Sequence, residues 1–574
     1  MEDLPRRTVV SAGSHLSIRK PGLRLTAMVL LSAASLPFAA QATPPIVQIA
    51  SPVSGETICG TITVSATAAD SLGIVNVAFE FNGTPFGGGP DTTQPYAVFA
   101  RTNDVADGVY SITAIAVNRL GEQTTSLPVT VTVNNAAPNC ASKFTPNFLA
   151  YYNGPTLTAA DANLLGKFDL LDVARYHYFD INSPGTWAAV KAVNPNIKVY
   201  LYEDGPEDEN FDDTTPQVGL QGIARYGDLN SNHPELFLRD SAGNKIYNKP
   251  FSSPLAPPCN DQTDTCWYLM DFGSPTYQSY WLGAVQADIT NQVWVADGVH
   301  ADNCITLISS FSPYSATSPV YPDDAHWYPA MNAFASAITA GMHAQGQKLW
   351  CNRGGAYTIF DTGKAAWAAL DASPTPPDVV ADEGAFAVSS GPANWATQFV
   401  AESQWRSQID TLHAVKNSKV AIFSHTKLQQ SPPGDTGLDN WNQPVTYWQS
   451  FWYAFGSFQL AKNDSPNNAY FAFFGNSESA DRIWYADEYD FIDLGKAVGP
   501  YAVTTIGSTN IYWREFEKGY VYVNPTINAV SVPLASTCTC RQRTHDNLYT
   551  PASQLPVVTN IQLNGHNAAI VLKT

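Results

Sequence analysis

Residues 45–135 contain two arginines, no lysine and no tryptophan, and only 14% of the 574 residues in the whole chain are charged. An average soluble domain carries about 25%. Basic residues are the scarcer kind, with 31 Lys+Arg against 50 Asp+Glu and a formal charge of −19. Neutralising phosphates takes clustered Lys and Arg, so nucleic acid is excluded as a partner. No stretch after Ala40 is long and apolar enough to span a bilayer, which takes about 20 residues. HExxH, CxxC and G-x-S-x-G are all missing, and no glycine-rich phosphate loop follows a strand-like run. Zinc peptidase, serine esterase and dinucleotide chemistry therefore lack their usual equipment. What is present is 12% aromatic and 44% hydrophobic residues. That is ample for large cores and suits an uncharged polar ligand.

Arg19, Lys20 and Arg24 precede an apolar stretch over 25–40 that ends in Ala40-Gln41-Ala42. This is the pattern of a secretory signal peptide over 1–42, and Pro37 interrupts the stretch too early for a membrane anchor. The expected location is extracellular or periplasmic. Eight cysteines fit an oxidising compartment. Cys259 with Cys266 is the expected bridge, and Cys304 with Cys351, each following a strand-like run, a second. Cys59 with Cys140 and Cys538 with Cys540 complete the candidate set.

From Pro45 to Asn135 short alternating runs (IVQIASP, GTITVSATAAD, VNVAFEFNG, YAVFART, YSITAIAVN, VTVTVNN) are separated by Asn82-Gly83, Gly87-Gly88-Gly89 and Asp107-Gly108. Such spacing predicts an antiparallel sandwich. The segment resembles the bacterial immunoglobulin-like modules of secreted proteins, which implies a spacer or adhesion unit over 43–139. Beyond Pro138 strands alternate with helices. Strands are expected at 148–153, 170–180, 197–204, 293–303, 348–353, 378–383, 419–425 and 470–476, and helices around 274–291, 326–345 and 394–416. Eight such units predict a (β/α)8 TIM barrel over 145–486, with an open doubly wound sheet as the alternative. The acidic, cysteine-bearing insertion over 205–292 is expected to wall the mouth. A small all-β domain over 487–574 completes the multidomain arrangement.

In a barrel, residues at the C-terminal strand ends face the substrate. Here those ends are Tyr152-Asn153, His177 with Asp180, Glu203-Asp204, His300 with Asp302-Asn303, Asn352-Arg353, Asp382-Glu383, His425 and Asn476. Side chains alternate along a strand, so His300 shares a face with Asp302. Asp382 and Glu383 have opposite parity, and Glu383 is the favoured one. Two carboxylates across an aromatic, amide-rich mouth are the equipment for glycosidic cleavage. Asp302 and Glu383 are thus the expected catalytic pair. Tyr152, Asn153, His177, Glu203, Asp204, His300, Asn303, Asn352 and His425 are expected to bind substrate hydroxyls, with no metal and no cofactor. The tryptophans all lie at or after Trp187. Sugar rings stack on such side chains, although Trp395, Trp405, Trp448 and Trp452 are expected to pack between helices.

The strings ADGVHADN, ADEGAF, PVTYWQSFWYAFGSFQLAKN and WREFEKGYVYVNP resemble the bacterial family catalogued as hypothetical glycosyl hydrolase family fifteen, over roughly 145–574. More distantly, a nucleophile ending strand four and an acid/base on strand six resemble the barrel clan of α-galactosidases and α-glucosidases. That resemblance implies Asp302 as nucleophile and Glu383 as acid/base. The expectation is a secreted, monomeric glycoside hydrolase acting on a polysaccharide or oligosaccharide. The alternative is a non-catalytic carbohydrate-binding or adhesion protein on a degenerate barrel.

Overall fold

The computed structural model describes residues 44–135, 144–152, 154–210, 226–249, 252, 259, 264–290, 295–308, 314–354, 361–389, 394–429, 435–463, 469–475, 483 and 485–573. Residues 1–42, expected to be a signal peptide, lie outside them, as do Cys140, Asn153 and Asn476.

The N-terminal part is a two-sheet sandwich. Ile46–Ser51, Thr61–Ala69 and Tyr96–Arg101 make one sheet. Ile74–Phe81, Thr84–Asp91, Gly108–Asn118 and Val129–Val133 belong to the other. Alternation does the sorting: Ile112, Ala114 and Ala116 are fully buried, while the residues between them are partly exposed. Asn82 and Gly83 have φ of 47° and 78° and join Phe81 to its partner Thr84. A two-residue hairpin loop needs such left-handed residues. Gly87-Gly88-Gly89 is not the turn expected from its composition. It lies inside the strand Thr84–Asp91 with φ of 84°, 78° and 125°, opposite a bulge between Val77 and Phe79.

Eight parallel strands follow: β1 (Phe148–Tyr151), β2 (Leu170–Val173), β3 (Lys198–Asp204), β4 (Gly298–Asp302), β5 (Lys348–Asn352), β6 (Val379–Glu383), β7 (Lys419–Thr426) and β8 (Ala469–Gly475). Each pairs with the next, and a bridge from Asn147 to Phe471 nearly closes the ring. Seven helices matter below: α1 (Arg175–Ile181), α2 (Pro184–Val193), α3 (Pro275–Thr290), α4 (Asp324–Ala344), α5 (Asp361–Asp371), α6 (Glu402–Ala414) and α7 (Tyr447–Ala461). The α4 helix starts where Asp323 accepts from the His326 amide at 3.1 Å, and it buries Met331, Phe334, Ile338 and Met342 at helical spacing.

Three further expectations need correction. The second strand stops at Val173, and Arg175–Ile181 is helical, so His177 and Asp180 stand on α1 rather than at a strand end. Trp395 and Phe399 belong to a short strand, Trp395–Phe399, and α6 begins only at Glu402. Cys259–Cys266 and Cys538–Cys540 are bridged. Cys304 and Cys351 are free and buried, so the expected second bridge is not formed.

C-terminal strands make a five-stranded sheet whose last member in the chain, Asn567–Lys573, pairs with Gly519–Asn524. Here α7 is buried along nearly its whole length. Gly456 on α7 comes so close to that sheet that an added Cβ would meet Ala568 Cβ at 2.4 Å. Among the described residues no helix is long and apolar enough to cross a membrane.

Candidate active site

Strand parity divides the barrel's side chains cleanly. Phe148, Tyr200, Trp350 and Phe423 point inward and pack edge to face beneath the mouth, with Trp350 fully buried at the centre. One layer higher, the inward positions are Asp172 on β2, Tyr202 and Asp204 on β3, His300 and Asp302 on β4, Asn352 on β5 and Glu383 on β6.

Asn352 joins the two carboxylates. Its Nδ2 donates to Asp302 Oδ1 at 2.7 Å and to Glu383 Oε2 at 2.8 Å. Its own Oδ1 accepts from the Gly354 amide at 3.1 Å, which turns the NH2 group toward the acids. The two carboxylate oxygens therefore stand no farther apart than those two lengths together, about 5.5 Å. Asp302 also accepts a short hydrogen bond from the Tyr202 hydroxyl. Glu383 is crowded by mouth side chains yet open to solvent. Crowding against protein, then the nearby Asp302 charge, push its carboxyl up to about 7. Asp382, its neighbour, is fully buried on the opposite face of β6.

Next to this pair lies a second group, in which Asp172 and Tyr202, missed by the sequence reading, join the expected Tyr152 and His300. Asp172 accepts from the Tyr152 hydroxyl and faces His300 Nδ1 at 2.6 Å. His300 stacks on Trp350, with ring centroids 4.6 Å apart. Burial opposes the imidazolium, but Asp172, Asp302 and Glu383 outweigh it and raise the pKa. Tyr152 and Tyr202 face one another at 4.5 Å, so the two networks touch. Period-two alternation from Leu170 would have placed Asp172 in the mouth, had the strand been ended at Val173. Tyr202 was legible the same way, from Asp204.

Beside Asp302 a closed acidic pocket forms. Asn303, at the left-handed φ of 55°, donates from Nδ2 to Asp204 Oδ1 at 3.1 Å. Glu207 accepts from Asn248 Nδ2 at 3.0 and 3.1 Å. Both acids are fully buried. Burial pushes Glu207 up to about 7, and burial, Glu207 and Asp302 raise Asp204 strongly. Gly205 lets β3 approach β4: its amide donates to the Asp302 carbonyl at 3.0 Å, and a Cβ there would sit 2.8 Å from that oxygen. Among the described residues no group of three or more His, Cys, Asp or Glu is arranged to hold a metal ion.

His425 at the end of β7 accepts at Nδ1 from the Ser389 amide, 2.7 Å away. Burial lowers its pKa to about 4, so the ring is neutral and carries its proton on Nε2. Of the residues expected to bind substrate, Tyr152, His300, Asn303, Asn352 and His425 thus gather at the mouth with Asp302 and Glu383, while Asp204 is sealed in the acidic pocket beside it. Two more lie away from it. Glu203 points away from the barrel axis and is fully buried. His177 is buried on α1, packed on outward-facing Tyr151 at 4.5 Å, 3.1 Å from Asp180, and lowered to about 4 by burial.

The family model for hypothetical glycosyl hydrolase family 15 matches residues 191–520, and that for a bacterial Ig domain matches residues 45–114. Among solved structures, the fibronectin(III)-like modules of Clostridium thermocellum CbhA are 32% identical, covering 15% of this chain and 94% of theirs, with a TM-score of 0.14. The GH36 α-galactosidase AgaB of Geobacillus stearothermophilus is 9% identical, covering 92% of this chain and 76% of its own, with a TM-score of 0.35. The pullulanase of Bacillus acidopullulyticus is 10% identical over 90% and 75%, with a TM-score of 0.32. No curated protein matches the chain.

Proposed function

From the premise that this chain belongs to hypothetical glycosyl hydrolase family 15, we propose that it is an exported enzyme that hydrolyses glycosidic bonds with retention of anomeric configuration. Asp302 is the nucleophile and Glu383 the acid/base. The observation that carries this reading is the Asn352 amide held between the two carboxylates. The two bridged oxygens lie within about 5.5 Å of each other, which is in keeping with the ~5–5.5 Å of retaining pairs and short of the ~6.5–9.5 Å of inverting ones.

The two acids divide the labour by environment. Glu383, held up to about 7, keeps a proton to give to the leaving oxygen. Asp302 takes hydrogen bonds from Tyr202 and Asn352, which hold its oxygens in place for attack on the anomeric carbon. The C–O bond to the leaving group breaks as the glycosyl ester to Asp302 forms. Water then cleaves that ester while Glu383 takes its proton. His425 Nε2–H and the Tyr152 hydroxyl are placed to orient sugar hydroxyls. Export is supported by the N-terminal pattern, the bacterial Ig domain and two disulfides.

Reducing-end release from a panel of neutral and amino-sugar polysaccharides, with NMR of the first-formed anomer, tests this reading. Retention is expected, and in Glu383→Ala azide should restore turnover as a retained glycosyl azide. An inverted first product refutes the assigned mechanism. No new ends from any glycan refutes the hydrolase.

A further inference from the structure

A cavity of about 490 Å³ shares no lining residue with the barrel mouth. It opens where the sandwich meets the barrel's last helical turn and the C-terminal domain. One wall is the sandwich hairpin, with Phe81, Phe86 and Tyr110; the other holds Phe99, Phe491 and Tyr549. Phe81 lies 4.7 Å from the Tyr110 ring and edge-on to Phe86 at 6.2 Å. Phe491 lies 5.8 Å from Phe99 and 5.1 Å from Tyr549. The walls touch at Gly88, where a Cβ would sit 2.3 Å from the Tyr549 ring. Hence the left-handed glycine run sits inside a strand: without side chains it lets the ring close over the backbone.

Arg101 is the only cation among the described residues that line the cavity, and it is paired. Arg101 pairs with Asp104 at 2.7 Å, with Asp487 at 3.4 Å and, through a short contact, with Asp490. Its side chain is 5% exposed, whereas those of Asp104 and Asp487 are 43% and 37% exposed. Lys167 also pairs with Asp104 at 3.3 Å, and the Tyr549 hydroxyl donates to Asp487. The cavity thus offers ring faces and two paired but part-exposed carboxylates able to accept further hydrogen bonds, and its acidic rim disfavours an anion. That combination selects a ligand with apolar faces and hydroxyl donors at its edges.

We propose that this seam is a second, non-catalytic binding site for a short neutral oligosaccharide. Its ring C–H faces stack on Phe86 and Tyr110, and its hydroxyls donate to Asp104 and Asp487. The volume lies within the ~300–1,000 Å³ of small-ligand sites. The choice of a glycan rests on the carbohydrate reading of the barrel; the cavity and its charge state do not.

The test uses the full chain carrying Asp302→Asn, in affinity gels cast with soluble glucan, galactan, mannan or polygalacturonate, and in titrations with the matching neutral oligosaccharides. Retardation by a neutral glycan is expected, weakened about tenfold by Phe86→Ala or Tyr110→Ala and kept by Tyr110→Phe, with unchanged Tm. In the Asp302-intact chain, Phe86→Ala should leave turnover of a short soluble substrate as it was. Equal retardation in all variants, or retardation by polygalacturonate alone, overturns the proposal. So does the absence of retardation by every neutral glycan. A chain that binds through the seam yet releases no reducing ends would sink the hydrolase and leave this site standing.

Discussion

Two pairs of acids sit side by side in this barrel, and they differ mainly in what covers them. Asp302 and Glu383 share one amide donor in a mouth that leaves Glu383 open to solvent. Asp204 and Glu207 are fully buried and tied down by Asn303 and Asn248. Burial raises the carboxyl in both, to about 7 for Glu383 and for Glu207 alike. A perturbed pKa alone therefore does not separate a reacting acid from a structural one. Access and shared geometry do.

Exchanging charge for amide should separate the pairs most sharply. Asp302→Asn and Glu383→Gln are expected to lower kcat/KM by about 10³-fold or more with little change in Tm. Glu207→Gln should retain most activity. Equal losses at all three positions, measured with one glycan substrate, would erase the distinction.

Removing the shared donor comes next. Asn352→Ala is expected to cost on the order of a hundredfold in kcat. It should also move the alkaline limb of the pH profile upward from about 7, since the Asn352 hydrogen bond favours ionised Glu383. A profile that keeps its limb while kcat falls would make Asn352 a scaffold alone.

The smallest effect is on stability. Glu207 has a folded pKa of about 7 against an ordinary 4.5, so the native state holds the proton more tightly than the unfolded chain. Its contribution is complete below pH ~4.5 and is lost as pH rises through ~7. Tm should drop by about a few degrees across that window, and Glu207→Gln should flatten the slope. A Tm that rises with pH over this range contradicts the closed-pocket assignment.

Much of the barrel was legible because its strands, buried on both faces, read as near-continuous apolar runs. The second strand was overextended because Tyr176, His177, Tyr178 and Phe179 favour strands locally, while burial against the barrel decides for helix. Trp395 and Phe399, and again Trp405 and Ile409, are four apart as in a helix, but the six-residue step from Phe399 to Trp405 spans a strand end and a helix start, with no side-chain cap at Ala401 to mark it. Within the site, parity put His300 with Asp302. The bridge through Asn352 and the Asp172–His300 contact were not legible, because both join different strands and exist only once the ring closes. Parity likewise could not choose between Asp382 and Glu383; the structure turns Glu383 toward Asn352.

The close approach at Gly456 bears on the order in which this protein is made. The helix α7 covers β7 and β8 on one side and is itself covered by Asn567–Lys573 on the other. That last strand leaves the ribosome, and any export channel, long after the barrel's eight strands. Phe451, Phe455 and Phe458 face β8, so until Asn567–Lys573 docks it is the opposite, Gly456 side of α7 that lacks part of its cover. The barrel must therefore wait, with one flank of α7 uncovered, for residues 567–573, and a truncation near Asn567 would harm the distant mouth by aggregation during maturation, leaving its chemistry intact in whatever folds.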